Sequence, residues 1–396
     1  MRRIIYTFAL AAAMTASASD LDRQIIRIAE LDPSTASAKA AYTAQLEEGR
    51  AANTLSGPDI DFDYKFSEEG NDGNRWGFSV GQAFDWPGAY AARSRANGYR
   101  ADAFAMLYRS ALVDKALEIK TALIALDAAD KRLGLLREAD RNLAALEEAY
   151  RKALADSQAT VLDVKKIGLQ RFSIGAALAS AEAEAAQCRA NLRTLTAGAA
   201  SAGVDTDFGK PAFDLTVKPL AHYEEMYAAA DPAASANRSL RSAAEADVSA
   251  ARRSALPSFK LAYVHDYEEH THFNGFSIGI SLPSWAPAKS VRAAKAASEA
   301  LALEDAAYDV RRSAMLATDH AEASALMARV ETSAATFSGD SYTAMLRKAF
   351  DARSITLLDY LREYNEYLDA EIEYISLRER LAAAVARLDR YDMTAR

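Results

Sequence analysis

Apolar residues recur along this chain with two different periods. From about 89 to 155 there is no proline, and Leu112, Ala116, Ile119, Leu123, Leu126, Ala129, Leu133, Leu136, Leu143, Leu146 and Tyr150 follow one another at steps of three, four or seven. That spacing predicts one long, heptad-like helix. With a rise of 1.5 Å per residue it would be on the order of 100 Å long, more than a single globular core can bury. Such a helix has to lie against other long helices, and the same periodicity predicts them over about 161–199, 289–350 and 355–391. Shorter helices are predicted at about 33–55 and 232–255. Alanine dominates these faces, which lets helices approach closely and suits a thin-walled array better than a bulky core.

The second period is two. Ile60, Phe62, Tyr64 and Phe66 alternate with Asp59, Asp61, Asp63 and Lys65, and beyond a polar turn Trp76, Phe78 and Val80 alternate with Arg75, Gly77, Ser79 and Gly81. Phe259, Leu261 and Tyr263 flank Lys260, and then Phe276, Ile278, Ile280 and Leu282 alternate with Gly275, Ser277, Gly279 and Ser281. Each set predicts a β-hairpin, at about 59–84 and 258–282, with an aromatic, greasy face and a polar or small one.

The two hairpins belong to a duplication. Gly77-Phe78-Ser79-Val80-Gly81 is nearly repeated as Gly275-Phe276-Ser277-Ile278-Gly279. Asp32-Pro33 recurs as Asp231-Pro232, and Arg151-Lys152-Ala153-Leu154 is echoed by Arg347-Lys348-Ala349-Phe350. The landmarks keep their order, so one mixed unit of helices and hairpin was built twice. The expected organisation is a signal peptide over 1–18, a first repeat over 19–199, a linker over 200–219 and a second repeat over 220–396.

The signal peptide is expected from Met1-Arg2-Arg3, the apolar run from Ile4 to Met14 and the small residues Ala16-Ser17-Ala18, with cleavage after Ala18. The apolar run is far short of the roughly 20 residues of a spanning helix. No cysteine follows the cleavage point, and Cys188 alone cannot form an internal disulfide. The chain carries a net charge of -8, and losing Arg2 and Arg3 makes it more acidic still, which argues against nucleic acid as a partner.

The hairpin segments have the length and face pattern of transmembrane β-strands, which need about 9 to 11 residues, an apolar outer band and a polar lumen face. On this reading Phe62, Tyr64, Trp76, Phe78, Val80, Phe276, Ile278 and Ile280 face outer membrane lipid. Four strands cannot close a barrel, because the smallest have about eight and an open edge in lipid leaves backbone groups unsatisfied. The chain is therefore expected to oligomerise. Counting alone permits a dimer, a trimer or a larger ring.

The signal peptide, the two repeats of helix, hairpin, very long helix and returning helix, and the hairpin exits Phe84-Asp85-Trp86-Pro87 and Leu282-Pro283 resemble the TolC family of outer membrane efflux proteins over the whole mature chain. The resemblance implies a mostly α fold with a β-barrel part, a homotrimer that closes a twelve-stranded barrel, and a helical cylinder extending into the periplasm of a Gram-negative bacterium. It also implies a passive exit duct that works with a periplasmic adaptor (membrane fusion) protein and an inner-membrane pump of RND or ABC type. By the same resemblance, the helix breaks near 155–162 and 351–358 form the periplasmic tip, with Asp163, Asp359, Arg362, Phe350 and Arg353 as its candidate gate residues. The family glycine is replaced there by Ser157 and Arg353, while Thr160-Val161-Leu162-Asp163 and Thr356-Leu357-Leu358-Asp359 keep the following pattern. Threefold symmetry would make Asp359 a ring of three carboxylates, which prefers cations at a constriction; a first-turn helix acid is the alternative role. Arg362 stands where some relatives carry a second acid, and could pair with one instead.

His265, His270 and His272, with Asp266, Glu268 and Glu269, are a candidate metal-binding loop, the alternative being a hydrated surface loop. Heavy-metal cation efflux and type I secretion are narrower versions of the duct reading, and a periplasmic helical adaptor or scaffold is the competing class. No phosphate-binding loop, zinc-spaced Cys/His set or nucleophile elbow is present, so neither an enzyme nor a cofactor is expected.

Overall fold

The computed structural model describes residues 20–66, 75–268, 270–282, 286–337 and 342–394, so the signal segment at 1–18 lies outside the described residues. The helices are α1 (Asp20–Glu30), α2 (Pro33–Ala51), α3 (Pro87–Ala155), α4 (Val161–Ser201), α5 (Leu220–Ala230), α6 (Pro232–Arg253), α7 (Ala286–Phe337), α8 (Tyr342–Asp351) and α9 (Leu357–Leu388). The strands are β1 (Asp59–Lys65), β2 (Arg75–Phe84), β3 (Ser258–Glu268) and β4 (Thr271–Ser281). The helix anticipated over 289–350 is described as α7 and α8, and residues 338–341 between them lie outside the described set. One element departs from expectation. α1 had no counterpart in the sequence reading, because its inward face amounts to Ile25, Ile28 and Ala29.

The chain divides into two compact units that do not follow the sequence repeats. One takes the described residues up to Thr35, then Leu112–Ala230 and the chain from Met315; the other takes Ala36–Ala111 and Asp231–Ala314. Each draws on both repeats.

In the first unit the heptad stripe of α3 is the core. Leu133, Leu136, Leu143 and Leu146 pack with Ile167 and Ile174 of α4 and Leu346, Tyr360, Leu361, Tyr364 and Leu368 of α8 and α9. Arg132, largely buried, reaches Glu184 on α4 at 2.6 Å and Glu379 on α9 at 2.8 Å, so one guanidinium ties three helices. Close approach replaces bulk at Gly198, where an added Cβ would collide with the backbone carbonyl of Leu31. Of the linker expected over 200–219, residues 200 and 201 end α4 and the segment 202–219 is irregular but not idle. Val204, Phe208 and Phe213 pack against α1, α3 and α4.

The duplicated Asp-Pro landmark acquires a structural role in both repeats. Asp231 caps α6, its Oδ1 accepting from the amides of Ala233 (2.9 Å) and Ala234 (3.2 Å), and Tyr308 and Arg312 of α7 lie 2.9 and 3.6 Å from its Oδ2. Asp32 accepts from the Ser34 amide at 2.8 Å and lies 3.5 Å from Lys115 of α3. A helix-starting carboxylate with proline just inside the helix, met by a cation from the long helix, is thus the repeat's own joint.

In the second unit the four strands form one antiparallel sheet in the order β1-β2-β3-β4. β1 has seven residues in the described part, shorter than the ten expected. α2, α3 and α6 cross-link beside the sheet. Asn97 donates to the Gly49 carbonyl at 2.6 Å, and Arg100 pairs with Asp247.

Candidate functional site

The sheet register assigns every strand side chain to a face. Ile60 opposes Val80, which opposes Tyr263, which opposes Phe276; Phe62, Phe78, His265 and Asn274 form the next row, and Tyr64, Trp76, Tyr267 and His272 the last. Directly opposed residues of an antiparallel pair share a face. All eight residues expected to face lipid, Phe62, Tyr64, Trp76, Phe78, Val80, Phe276, Ile278 and Ile280, therefore lie on one side. It is not a buried side: Phe276 is 80% exposed, Ile278 76% and Phe62 68%. Aromatic rings run across one end of it, with Trp76 stacked on Phe62 at 6.4 Å and on Tyr267 at 5.7 Å between centroids.

The opposite face carries Asp59, Asp61, Asp63, Lys260, Asp266 and Glu268 among glycines and serines. Lys260 of β3 crosses over β2 to place its Nζ 3.1 Å from Asp59 and 3.6 Å from Asp61 on β1. It can do so because position 81 is glycine, where a Cβ would stand 2.6 Å from the lysine Cε. Sequence parity put Lys260 on the polar face; the ion pair two strands away was invisible to it. Arg75 and Glu268 make a second cross-strand pair at 3.2 Å. Phe273, opposite Asp266, and Val264, opposite Gly275, are large apolar exceptions on this face.

The histidine cluster is not a loop. His265 lies within β3 and His272 within β4, because the alternation Tyr263, His265, Tyr267 carries the ladder out to the Glu268–Thr271 pair; His270 alone stands in the turn, with φ 68°. Among the described residues there is no group of three or more His, Cys, Asp or Glu side chains placed to hold a metal.

The candidate gate residues lie at two turns of the first unit built on one plan. After α3 the Ser157 amide bonds the Leu154 carbonyl (3.1 Å) and the Gln158 amide the Ala153 carbonyl (2.7 Å); after α8 the Arg353 amide bonds Phe350 and the Ser354 amide bonds Ala349, both at 2.9 Å. This pair of bonds around a left-handed residue is the Schellman helix ending. Ser157 and Arg353 both have φ 58°, so each fills a glycine's conformation with an L side chain, at a cost of about 1 kcal/mol.

The next helices are capped alike. Thr160 Oγ1 accepts from the Asp163 amide at 3.2 Å, and the Asp163 carboxylate accepts from the Thr160 hydroxyl at 2.6 Å and its amide at 3.1 Å. Thr356 and Asp359 repeat the side-chain contact at 2.6 Å and the amide contact at 3.2 Å. The threonine hydroxyls hold both carboxyls below the usual aspartate range, so both are charged at neutral pH. Arg362 lies 3.1 Å from Glu363, 3.9 Å from Asp359 and 4.0 Å from Glu366, a lone exposed cation among three acids. Phe350 packs inward, stacked between Tyr150 of α3 (6.4 Å) and Tyr360 of α9 (4.7 Å), and Tyr360 stacks on Tyr364. Sequence reading named Phe350 and placed Tyr150 on the heptad stripe, but missed Tyr360 and the stack itself.

No family model and no curated protein matches the chain. Solved structures do. A membrane protein from Pseudomonas aeruginosa superposes with a TM-score of 0.72 at 17% identity, over 97% of this chain and 98% of the other. The outer membrane protein VceC of Vibrio cholerae gives 0.72 at 16% identity, over 93% and 95%. The CmeC outer membrane channel of Campylobacter jejuni gives 0.70 at 12% identity, over 97% and 90%. At such identities the likeness is one of fold, and it extends over nearly the full length of both chains. The mostly helical chain with its small antiparallel sheet shares the fold of these membrane proteins.

Proposed function

We propose that this chain is the outer membrane duct of a tripartite efflux system in a Gram-negative bacterium, conducting substrates passively from an inner-membrane pump and a periplasmic adaptor to the outside. The observation that carries this reading is the inverted sheet. Its broad apolar, aromatic face is exposed, its other face is charged or small, and within the chain β1 and β4 each pair on one side only. In water such a face and such edges invite aggregation; in lipid the face is correct and the edges need partners. Three copies supply twelve strands, the arrangement implied by the TolC resemblance, and the likeness to outer membrane proteins such as CmeC supports the same membrane. The capped turns after α3 and α8 are then the periplasmic end, where Asp163, Asp359 and Arg362 meet the adaptor and the permeating ions.

The experiment is fractionation followed by crosslinking and planar-bilayer recording. A crosslinked trimer in the outer membrane with a steady conductance supports the duct; a monomer in the soluble periplasmic fraction overturns it. At the tip, Asp359→Ala is expected to raise leak conductance or lower cation preference, and unchanged traces would remove Asp359 from the gate.

A further inference from the structure

We propose that His265 and His272 form a chelate for a borderline divalent transition-metal ion of the Cu(II), Ni(II) and Zn(II) class, stapling β3 to β4 at the Glu268–Thr271 end of the sheet. The proposal does not depend on the duct reading. His265 opposes Asn274, and His272 opposes Tyr267, so the two imidazoles are diagonal neighbours on one face of a ladder. His272 Nδ1 lies 3.3 Å from His265 Nε2. Two nitrogens each ~2.0–2.1 Å from a tetrahedral ion are about 3.3–3.4 Å apart, so the ring positions already have the bite of a chelate.

The tautomer of His265 is set by its other nitrogen. Its Nδ1 lies 2.7 Å from Asn274 Oδ1, a carbonyl oxygen that only accepts and also receives the Tyr263 hydroxyl at 2.6 Å. Nδ1 therefore carries the proton, and the Nε2 lone pair points at His272. Ligating histidines are oriented in this manner, with the far N–H given to a carbonyl or carboxylate. Aromatic rings hold both imidazoles: Trp76 lies 5.6 Å from His265 and Tyr267 4.9 Å from His272 between centroids. His265 is half-buried and His272 exposed, and both lie within four residues of the polar turn that ends the hairpin, so water at that rim completes the coordination. Imidazole nitrogens select this class of ion over magnesium or calcium.

Of the two described tryptophans, Trp76 adjoins the pair, while Trp86 packs on Phe259. In untagged protein carrying Trp86→Phe and Trp285→Phe, titration with Cu(II) at pH 7.5 is expected to quench Trp76 fluorescence to saturation. His272→Ala should raise the midpoint at least tenfold, and Asn274→Ala, which frees the His265 ring, should raise it roughly 10–100-fold. Quenching that never saturates, or the same midpoint in a His265→Ala/His272→Ala variant, overturns the proposal. Should the tryptophan background fail to assemble, equilibrium dialysis of the otherwise unaltered protein with Zn(II) tests the same chelate. There the double histidine variant must bind one ion fewer per chain, and equal stoichiometry overturns the site.

Discussion

The helical unit and the sheet use the same residue types in opposite ways. In the helical unit Leu143, Ile167 and Leu381 are almost wholly covered, while in the sheet Ile60, Phe276 and Ile278 are among the most exposed large apolar side chains in the chain. Both arrangements satisfy the backbone, one through helices and the other through a ladder. What differs is the medium each surface is built to meet. An apolar stripe that meets other helices is a core, whereas a stripe that meets nothing, on strands backed by a polar face, is a surface for lipid.

Substitutions can break that contrast at graded cost. The largest loss is expected inside the helical unit, where Ile167→Ala should remove about 2–5 kcal/mol of stability, measured by chemical unfolding. Ile278→Ala on the sheet should cost far less; equal losses would mean that the sheet face is an ordinary core awaiting a lid.

Next comes polarity. Phe276→Arg should cost assembly roughly 2–4 kcal/mol if the residue sits near mid-bilayer, while Ser277→Arg on the other face should assemble and alter conductance. The readout is the yield of crosslinked oligomer in outer membranes. Similar yields from the two variants would deny that the faces differ.

Smaller effects belong to the two capped turns. Thr356→Ala removes a hydroxyl that accepts the Asp359 amide and holds its carboxylate, and should cost about 0.5–2 kcal/mol. Arg353→Gly should instead be neutral to stabilising, by up to about 1 kcal/mol, since φ 58° suits glycine; a clear loss of stability would give the Arg353 side chain a contact of its own.

The smallest effect is a pH dependence. Asp163 and Asp359 have folded values below their ordinary 3.8, so their contribution is fully present above pH 3.8 and is lost as pH falls through the lower folded values. Thermal midpoints of wild type and an Asp163→Asn/Asp359→Asn variant should therefore differ at pH 6 and converge in strong acid. A gap that persists there would show that the carboxylates act through something other than their charge.

The periodicity of α3 was legible residue by residue, because a heptad stripe obeys local geometry and nearly all its members are buried. The faces of the strands were legible for the same reason, parity being a property of the pleat. Asp163 was named as a gate residue and Asp359 with two competing roles, and the contacts of both within the chain are those of helix caps. Tyr360 was not singled out, and the partners of Tyr150 and Lys260 were not foreseen, because each acts through a residue remote in sequence.

The sequence by itself determined the duplication, the type of every strand and long helix, and which residues share a face, since those follow from periods of 3.5 and 2 along a single chain. Only the tertiary structure decided that both hairpins join in one sheet through β2 and β3, that Lys260 reaches Asp59 across a glycine, that Phe350 is a stacking residue, and that His265 and His272 stand nitrogen to nitrogen. Those facts depend on register and on distances between segments far apart in the chain, and no local pattern encodes either.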